Sequence, residues 1–144
     1  MSLRSDTPRS DRFVASFIGE GSLLRATLDH IRGDRATVSV GRAKIAVPSA
    51  PLSGLNAGAR VDLFVRPEHL QVTTAANAAF EGQVAASIYQ GDHVDLYVDA
   101  HEATNGRLMM RLAARDAAGI SGAGSKVAIS ILGEDAVAFP PAGA

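Results

Sequence analysis

Five side chains able to coordinate a cation or move a proton recur at every second position: His93, Asp95, Tyr97, Asp99 and His101. In an extended strand such residues share one face, with neighbours roughly 7 Å apart. Imidazoles and carboxylates on one face suit a divalent metal or an organic cation. The spacing is too wide for two successive side chains to chelate, so a cross-strand partner would have to complete the site. A solvated strand face accounts for the same pattern and is the simpler reading. His30 and His69 stand far away in sequence and show no ligand spacing.

Other chemical signatures fail on order or context. The run from Gly119 to Lys126 carries glycines, Ser125 and Lys126, as a phosphate-binding loop does. That loop needs lysine directly after its second glycine, followed by serine or threonine. It must also open a helix whose N–H groups hold the phosphate. Here Ser125 precedes Lys126, and Val127–Ile131 alternates like a strand, so a flexible turn is expected. Gly19-Glu20-Gly21 lacks the third glycine of a dinucleotide fingerprint. No serine sits in a nucleophile elbow, and Glu134-Asp135 occupies a hydrated turn. With no cysteine, thiolate catalysis, disulfides and Cys-ligated zinc are excluded. Nothing in these patterns argues for catalysis, and no metal or cofactor is expected.

The elements that position these residues have a period of two. Val38/Val40, Ile45/Val47, Val61/Leu63/Val65, Val84/Ala86/Ile88, Val94/Leu96/Val98, Leu108/Met110/Leu112 and Val127/Ile129/Ile131 alternate with polar or small residues. Such alternation marks half-buried strands of antiparallel sheets. Gly41-Arg42 suits a two-residue hairpin of type II′, with glycine first. Gly33-Asp34, Gly91-Asp92, Asn105-Gly106 and Gly133-Glu134-Asp135 separate further strands. The expected fold is all-β, an antiparallel OB-like β-barrel built from two β-rich halves, 20–74 and 79–138. The break falls at Thr73–Ala79. A short N-terminal helical turn is expected at Phe13–Ile18, and one more turn at Ala114–Gly119. Residues 1–11 read as a leader or linker, artificial in look, ahead of the middle of a longer protein. Residues 139–144 read as a flexible tail.

Composition narrows the function classes. The 144 residues carry 14 Lys+Arg against 15 Asp+Glu, a net charge of −1. Nucleic-acid binding needs a basic field, and single-strand binding needs stacking aromatics as well. Aromatics make up 5% of the chain and tryptophan is absent, which argues against both. No apolar run approaches the ~20 residues of a membrane-spanning helix.

Three segments resemble one known family. Arg12-Phe13-Val14-Ala15-Ser16-Phe17-Ile18-Gly19-Glu20-Gly21-Ser22-Leu23-Leu24 resembles the stretch that leaves the nucleotide-binding domain of ABC importer ATPase subunits. Val61-Asp62-Leu63-Phe64-Val65-Arg66-Pro67-Glu68-His69-Leu70 resembles that family's V-x-L-x-I-R-P-E-x-I element. Phe80-Glu81-Gly82-Gln83-Val84 with Ile88-Tyr89-Gln90-Gly91 resembles its L-x-G-x-V-x-x-x-x-Y-x-G element. Their order matches the transport-associated OB (TOBE) region, in its polyamine (spermidine/putrescine) branch, over residues 12–138. Ser22 departs from the usual asparagine, and 32–53 and 101–125 show no match.

The resemblance implies that ATP and magnesium bind in a preceding domain that holds the P-loop. This stretch would then be a regulatory and dimerisation domain. Its implied partners are a second copy, the nucleotide-binding domain and the permease subunits, on the cytoplasmic side of the membrane and without inserting into it. The motif residues Phe17, Ile18, Gly19, Glu20, Arg66, Pro67, Glu68, Gly82, Tyr89 and Gly91 would be structural or interfacial. Pro67 is expected to end or kink its strand at a sheet edge, and Arg66 and Glu68 share a parity that allows pairing. The alternative is a small-ligand module, as in molybdate-type members. Ser125 and Lys126 are available for an oxyanion, but the S-A-R-N start of that branch is missing near Asn77.

Overall fold

The computed structural model describes residues 21–120, 122–133 and 135–141. Ten strands follow one another: β1 (Ser22–Arg32), β2 (Arg35–Val40), β3 (Ala43–Pro48), β4 (Arg60–Val65), β5 (Leu70–Thr73), β6 (Phe80–Tyr89), β7 (His93–Asp99), β8 (Arg107–Ala113), β9 (Lys126–Ile131) and β10 (Val137–Phe139). One short helix, α1 (Ala114–Ala117), follows β8, where a turn is expected. The N-terminal turn expected at Phe13–Ile18 lies outside the described residues.

All strand pairs are antiparallel. One sheet runs β10-β4-β1-β2-β3 and the other β5-β9-β6-β7-β8. The expected all-β, OB-like class therefore holds. The sheets do not divide at the break near residues 73–79. β5, from the earlier stretch, pairs with β9, and β10, from the later one, pairs with β4. β10 runs to Phe139, the residue at which the tail was expected to begin.

The alternation explains one core shared by both sheets. Leu24, Val38, Val47, Leu63, Leu96, Met110 and Ile129 all point into it. β1 also joins the sheets directly. Leu24 forms a bridge with Ala103 beyond β7, the Arg25 N–H donates to the Glu102 carbonyl at 2.6 Å, and the Thr104 N–H donates to the Leu23 carbonyl at 2.9 Å.

Strand β4 is not half-buried as its alternation suggests. Its inward Val61, Leu63 and Val65 and its outward Asp62 and Phe64 are all buried. Phe64 packs with Phe139, Leu23 and Val137 in a small second cluster. The strand lies inside its sheet, between β1 and β10. Pro67 therefore does not mark a sheet edge. It follows the strand and opens a 3-10 turn over Pro67–His69, where its missing N–H costs no ladder bond.

A second departure lies in β6. The Val84–Ala86–Ile88 set was expected to face the core, but a bulge between Val84 and Ala86 inserts an extra residue opposite β7. One extra residue moves every later side chain to the other face. Val84 stays buried, while Ile88 shares the outer face with Asp95 and is 47% exposed.

The type II′ hairpin between β2 and β3 is present, with Val40 opposite Ala43 and Gly41 at φ 56°. Its tip grips the segment between the sheets. The Arg42 N–H donates to the Ala79 carbonyl at 2.9 Å, its Nε to Ala78 at 3.2 Å and its Nη2 to Ala75 at 2.6 Å. A Cβ on Gly41 would meet the Ala79 carbonyl oxygen.

Candidate functional site

The outer face of β7 meets arginines. The β7–β8 register sets Asp95 opposite Arg111 and Asp99 opposite Arg107. Arg111 Nε donates to Asp95 at 3.0 Å, and Arg107 Nε donates to Asp99 at 2.7 Å. The Arg107 bond holds the Asp99 carboxyl below its ordinary range, and the Asp95 bond raises Arg111. His93 Nδ1 lies 2.8 Å from Asp92, which that contact lowers, and Nε2 lies 3.9 Å from Asp95. His101 falls beyond β7, in the following turn. Asp95 is 7% exposed, so the face is not fully solvated either. Among the described residues no group of three His, Cys, Asp or Glu could hold a metal. The spacing along β7 alone does not mark the two arginines. Folding β7 onto β8 about Asn105-Gly106 would have found them, since Arg107, Met109 and Arg111 share one parity.

Removing Arg111 tests this pairing. Hydrogen bonds to charged groups are worth about 1.5–3 kcal/mol, and exposure of the arginine reduces that. Arg111→Ala is expected to destabilise by about 1 kcal/mol in urea denaturation, with Arg111→Lys recovering part of the loss.

A different site emerges where β1, the β2–β3 turn and the loop after β7 converge. A cavity of about 480 Å³ is lined there by Arg25, Thr27, Ser39, Arg60, His101 and Glu102, among others. Arg25 is fixed across it, donating to the carbonyls of His101 at 3.1 Å and Thr104 at 3.4 Å. Arg60 enters from the neighbouring position on β4, opposite Thr27. Two guanidiniums against the single carboxylate of Glu102 leave an excess of positive charge, chemistry suited to a small anion. No motif or spacing in the sequence marks this cavity, because its residues come from four separated segments.

A bulge next to Leu28 leaves Asp29 outside the β1–β2 register. The Ser39 hydroxyl donates to its carboxylate at 2.6 Å and the Lys44 ammonium at 2.9 Å. These donors, Ser39 first, lower its pKa from 3.8. A carboxyl lowered in the folded state adds stability that is present above its unfolded pKa and lost as pH falls through the folded value. Acid melting below about pH 4 should therefore cost the wild type more than Asp29→Asn, and the two melting curves should converge as pH falls. Equal losses in both proteins would refute the assignment.

The motif residues fall in separate places. Phe17, Ile18, Gly19 and Glu20 lie outside the described residues. The Arg66 guanidinium carbon lies 6.0 Å from the centre of the Phe64 ring. Glu68 lines a cavity of about 360 Å³ with Arg111 and Asp116, and its charge adds to the raising of Arg111. Gly82 lies where a Cβ would meet Val98 and the Asp99 carbonyl, so the close approach of β6 to β7 requires glycine there. Tyr89 and Gly91 stand at the β6–β7 hairpin tip, with Tyr89 69% exposed. Ser125 and Lys126 line a further cavity of about 330 Å³, which Glu81 shares. That carboxylate opposes an anion there.

A family model described as TOBE domain matches residues 63–139. The spermidine/putrescine import ATP-binding protein PotA of Ruegeria pomeroyi is 30% identical over 95 residues, which is 66% of this chain and 25% of that protein. Its counterpart in Pseudomonas fluorescens is 35% identical over 107 residues, 74% of this chain and 28% of that protein. An Fe(3+) ions import ATP-binding protein of Rhizobium meliloti is 31% identical over 93 residues, 65% of this chain and 25% of that protein. The chain spans about a quarter of the length of these curated relatives. Among solved structures, the cytoplasmic molybdate-binding protein ModG, with molybdate bound, aligns with a TM-score of 0.61 at 17% identity. The alignment covers 83% of this chain and 95% of that one, a likeness of fold.

Proposed function

This chain belongs to the TOBE domain family, and from that premise we propose that it is the regulatory and dimerisation domain of an ABC importer's ATP-binding subunit. The observation that carries this reading is the match to relatives named as import ATP-binding proteins, of which this chain spans only about a quarter. ATP and magnesium would bind in the remainder of such a subunit. The domain would act beside the nucleotide-binding domain and the permease, on the cytoplasmic face of the membrane and not inserted in it. Two copies would associate. Polyamine or a related solute is the cargo that the relatives' names favour. No helix among the described residues is long and apolar enough to cross a membrane.

The test is a pair of ATPase assays. The purified chain should show no ATP turnover. An ATP-binding subunit lacking the region equivalent to 21–141 should still hydrolyse ATP but lose its response to transporter state. Turnover by this chain alone, or an unaltered response without the region, would overturn the reading.

One observation favours a second reading, oxyanion binding. The cavity at Arg25, Arg60 and His101 carries excess positive charge, and the fold is that of a molybdate-binding protein. Calorimetry with molybdate, tungstate and sulfate decides. Heat that Arg60→Ala abolishes would support it, and the absence of heat with all three anions removes it.

A further inference from the structure

We propose that the far half of β6 is a docking edge for the same strand of a second copy of this chain, paired antiparallel about a two-fold axis at Ile88. The proposal rests on the reading that two copies associate, and it names the surface.

Strand β6 pairs with β9 over Phe80–Gln83 and with β7 over Gln83–Tyr89, so the two ladders flank it together only at Gln83. The cover on the β9 side ends where Val84 exchanges bonds with Gly124 and Ser125, each at 2.8 Å. Beyond Val84, no strand among the described residues lies on that side of β6.

The direction of the free groups follows from the hairpin. The Gln90 N–H donates to the His93 carbonyl at 2.8 Å, so Gln90 faces β7. Main-chain groups alternate along a strand, so Ile88 also faces β7, and Ser87 and Tyr89 turn their N–H and C=O outward. This open edge has two outward residues flanking one inward residue. Placing two copies antiparallel about Ile88 sets Ser87 against Tyr89 of the other copy, and Tyr89 against Ser87. Each is a hydrogen-bonded pair in which both residues exchange N–H and C=O. Between them Ile88 meets its own copy at the narrow, non-hydrogen-bonded position, where side chains lie closest.

The side chains suit self-association. Ile88 is 47% and Tyr89 69% exposed. Proteins commonly guard an open edge with charge or proline, yet Gly82–Gly91 contains neither. Two of the outer strands are guarded, β3 by Lys44 and Pro48 and β8 by Arg107 and Arg111, whereas β5 and β10 carry neither charge nor proline. The carboxylates beside the edge, Asp95 and Asp99, are each paired with an arginine, so like charge does not oppose a second copy.

An edge contact this short is smaller than the roughly 1,200 Å² of a stable complex, so a dissociation constant on the order of 100 µM is expected. The chain has no cysteine, so Ile88→Cys introduces a single thiol at the symmetry axis. Mild oxidation at high concentration should link it into a disulfide dimer, while Val72→Cys, at a position 37% exposed on β5, should give only background. In sedimentation equilibrium, Ile88→Lys should weaken association by at least about tenfold, with its melting temperature unchanged. Crosslinking of Ile88→Cys no greater than that of Val72→Cys, or association of Ile88→Lys equal to the wild type, would overturn this surface and leave the pairing of two copies standing. A wild type that stays monomeric at millimolar concentration would overturn both.

Discussion

Gly41→Ala should lower the melting temperature by about 10 °C. The backbone at Gly41 has φ 56°, a region that disfavours any residue with a Cβ. The added methyl would also meet the Ala79 carbonyl oxygen, which accepts the Arg42 N–H. Relief of that contact requires the hairpin tip to lift, which strains or breaks the three hydrogen bonds from Arg42 to Ala75, Ala78 and Ala79. Each bond is worth about 1 kcal/mol net and the left-handed conformation adds about 1 more. The sum is about 3 kcal/mol if two bonds are lost, or about 10 °C for a domain of this size. Arg42→Ala removes the two side-chain bonds without the backbone conflict, so it should cost about 2 kcal/mol, less than Gly41→Ala. If Gly41→Ala melts with the wild type, the hairpin tip does not hold the segment between the sheets.

Leu24→Ala is expected to cost about 3 kcal/mol, within the range for a leucine removed from a packed core. Leu24 is fully buried. It stands on β1 opposite Leu63 of β4 and bridges to Ala103, so both sheets lose contacts when it is shortened. β1 is stapled there by bonds from Arg25 and Thr104, which restrict collapse around the cavity. Urea denaturation should show a lower midpoint with an unchanged slope. A reduced slope would mean that the two sheets unfold separately.

Much of this fold was legible because inward and outward residues alternate. Val38/Val40, Val94/Leu96/Val98 and Leu108/Met110/Leu112 all point as their parity requires. The turn at Gly41 was legible because few residues other than glycine accept a positive φ. Parity failed wherever the backbone changed its count. The bulge after Val84 reversed Ala86 and Ile88, and alternating apolar residues carry no mark of an extra one. It failed again at β4, whose second buried face depends on Phe139, far along the chain. The candidate sites were less legible still. The His/Asp face of β7 was visible, but the arginines that neutralise it belong to the next strand. The cavity at Arg25 and Arg60 draws on segments that only pairing brings together.

The exchange of end strands gives the molecule a mechanical property. β5 belongs to the sheet made from later residues, and β10 to the sheet made from earlier ones. A protease that cleaved once between Thr74 and Ala79 would leave two fragments, each with a strand laced into the other's sheet. Such a nicked molecule should elute as one particle and come apart only in denaturant. Neither fragment expressed alone should reach the native topology, because each would lack the edge that finishes its own sheet.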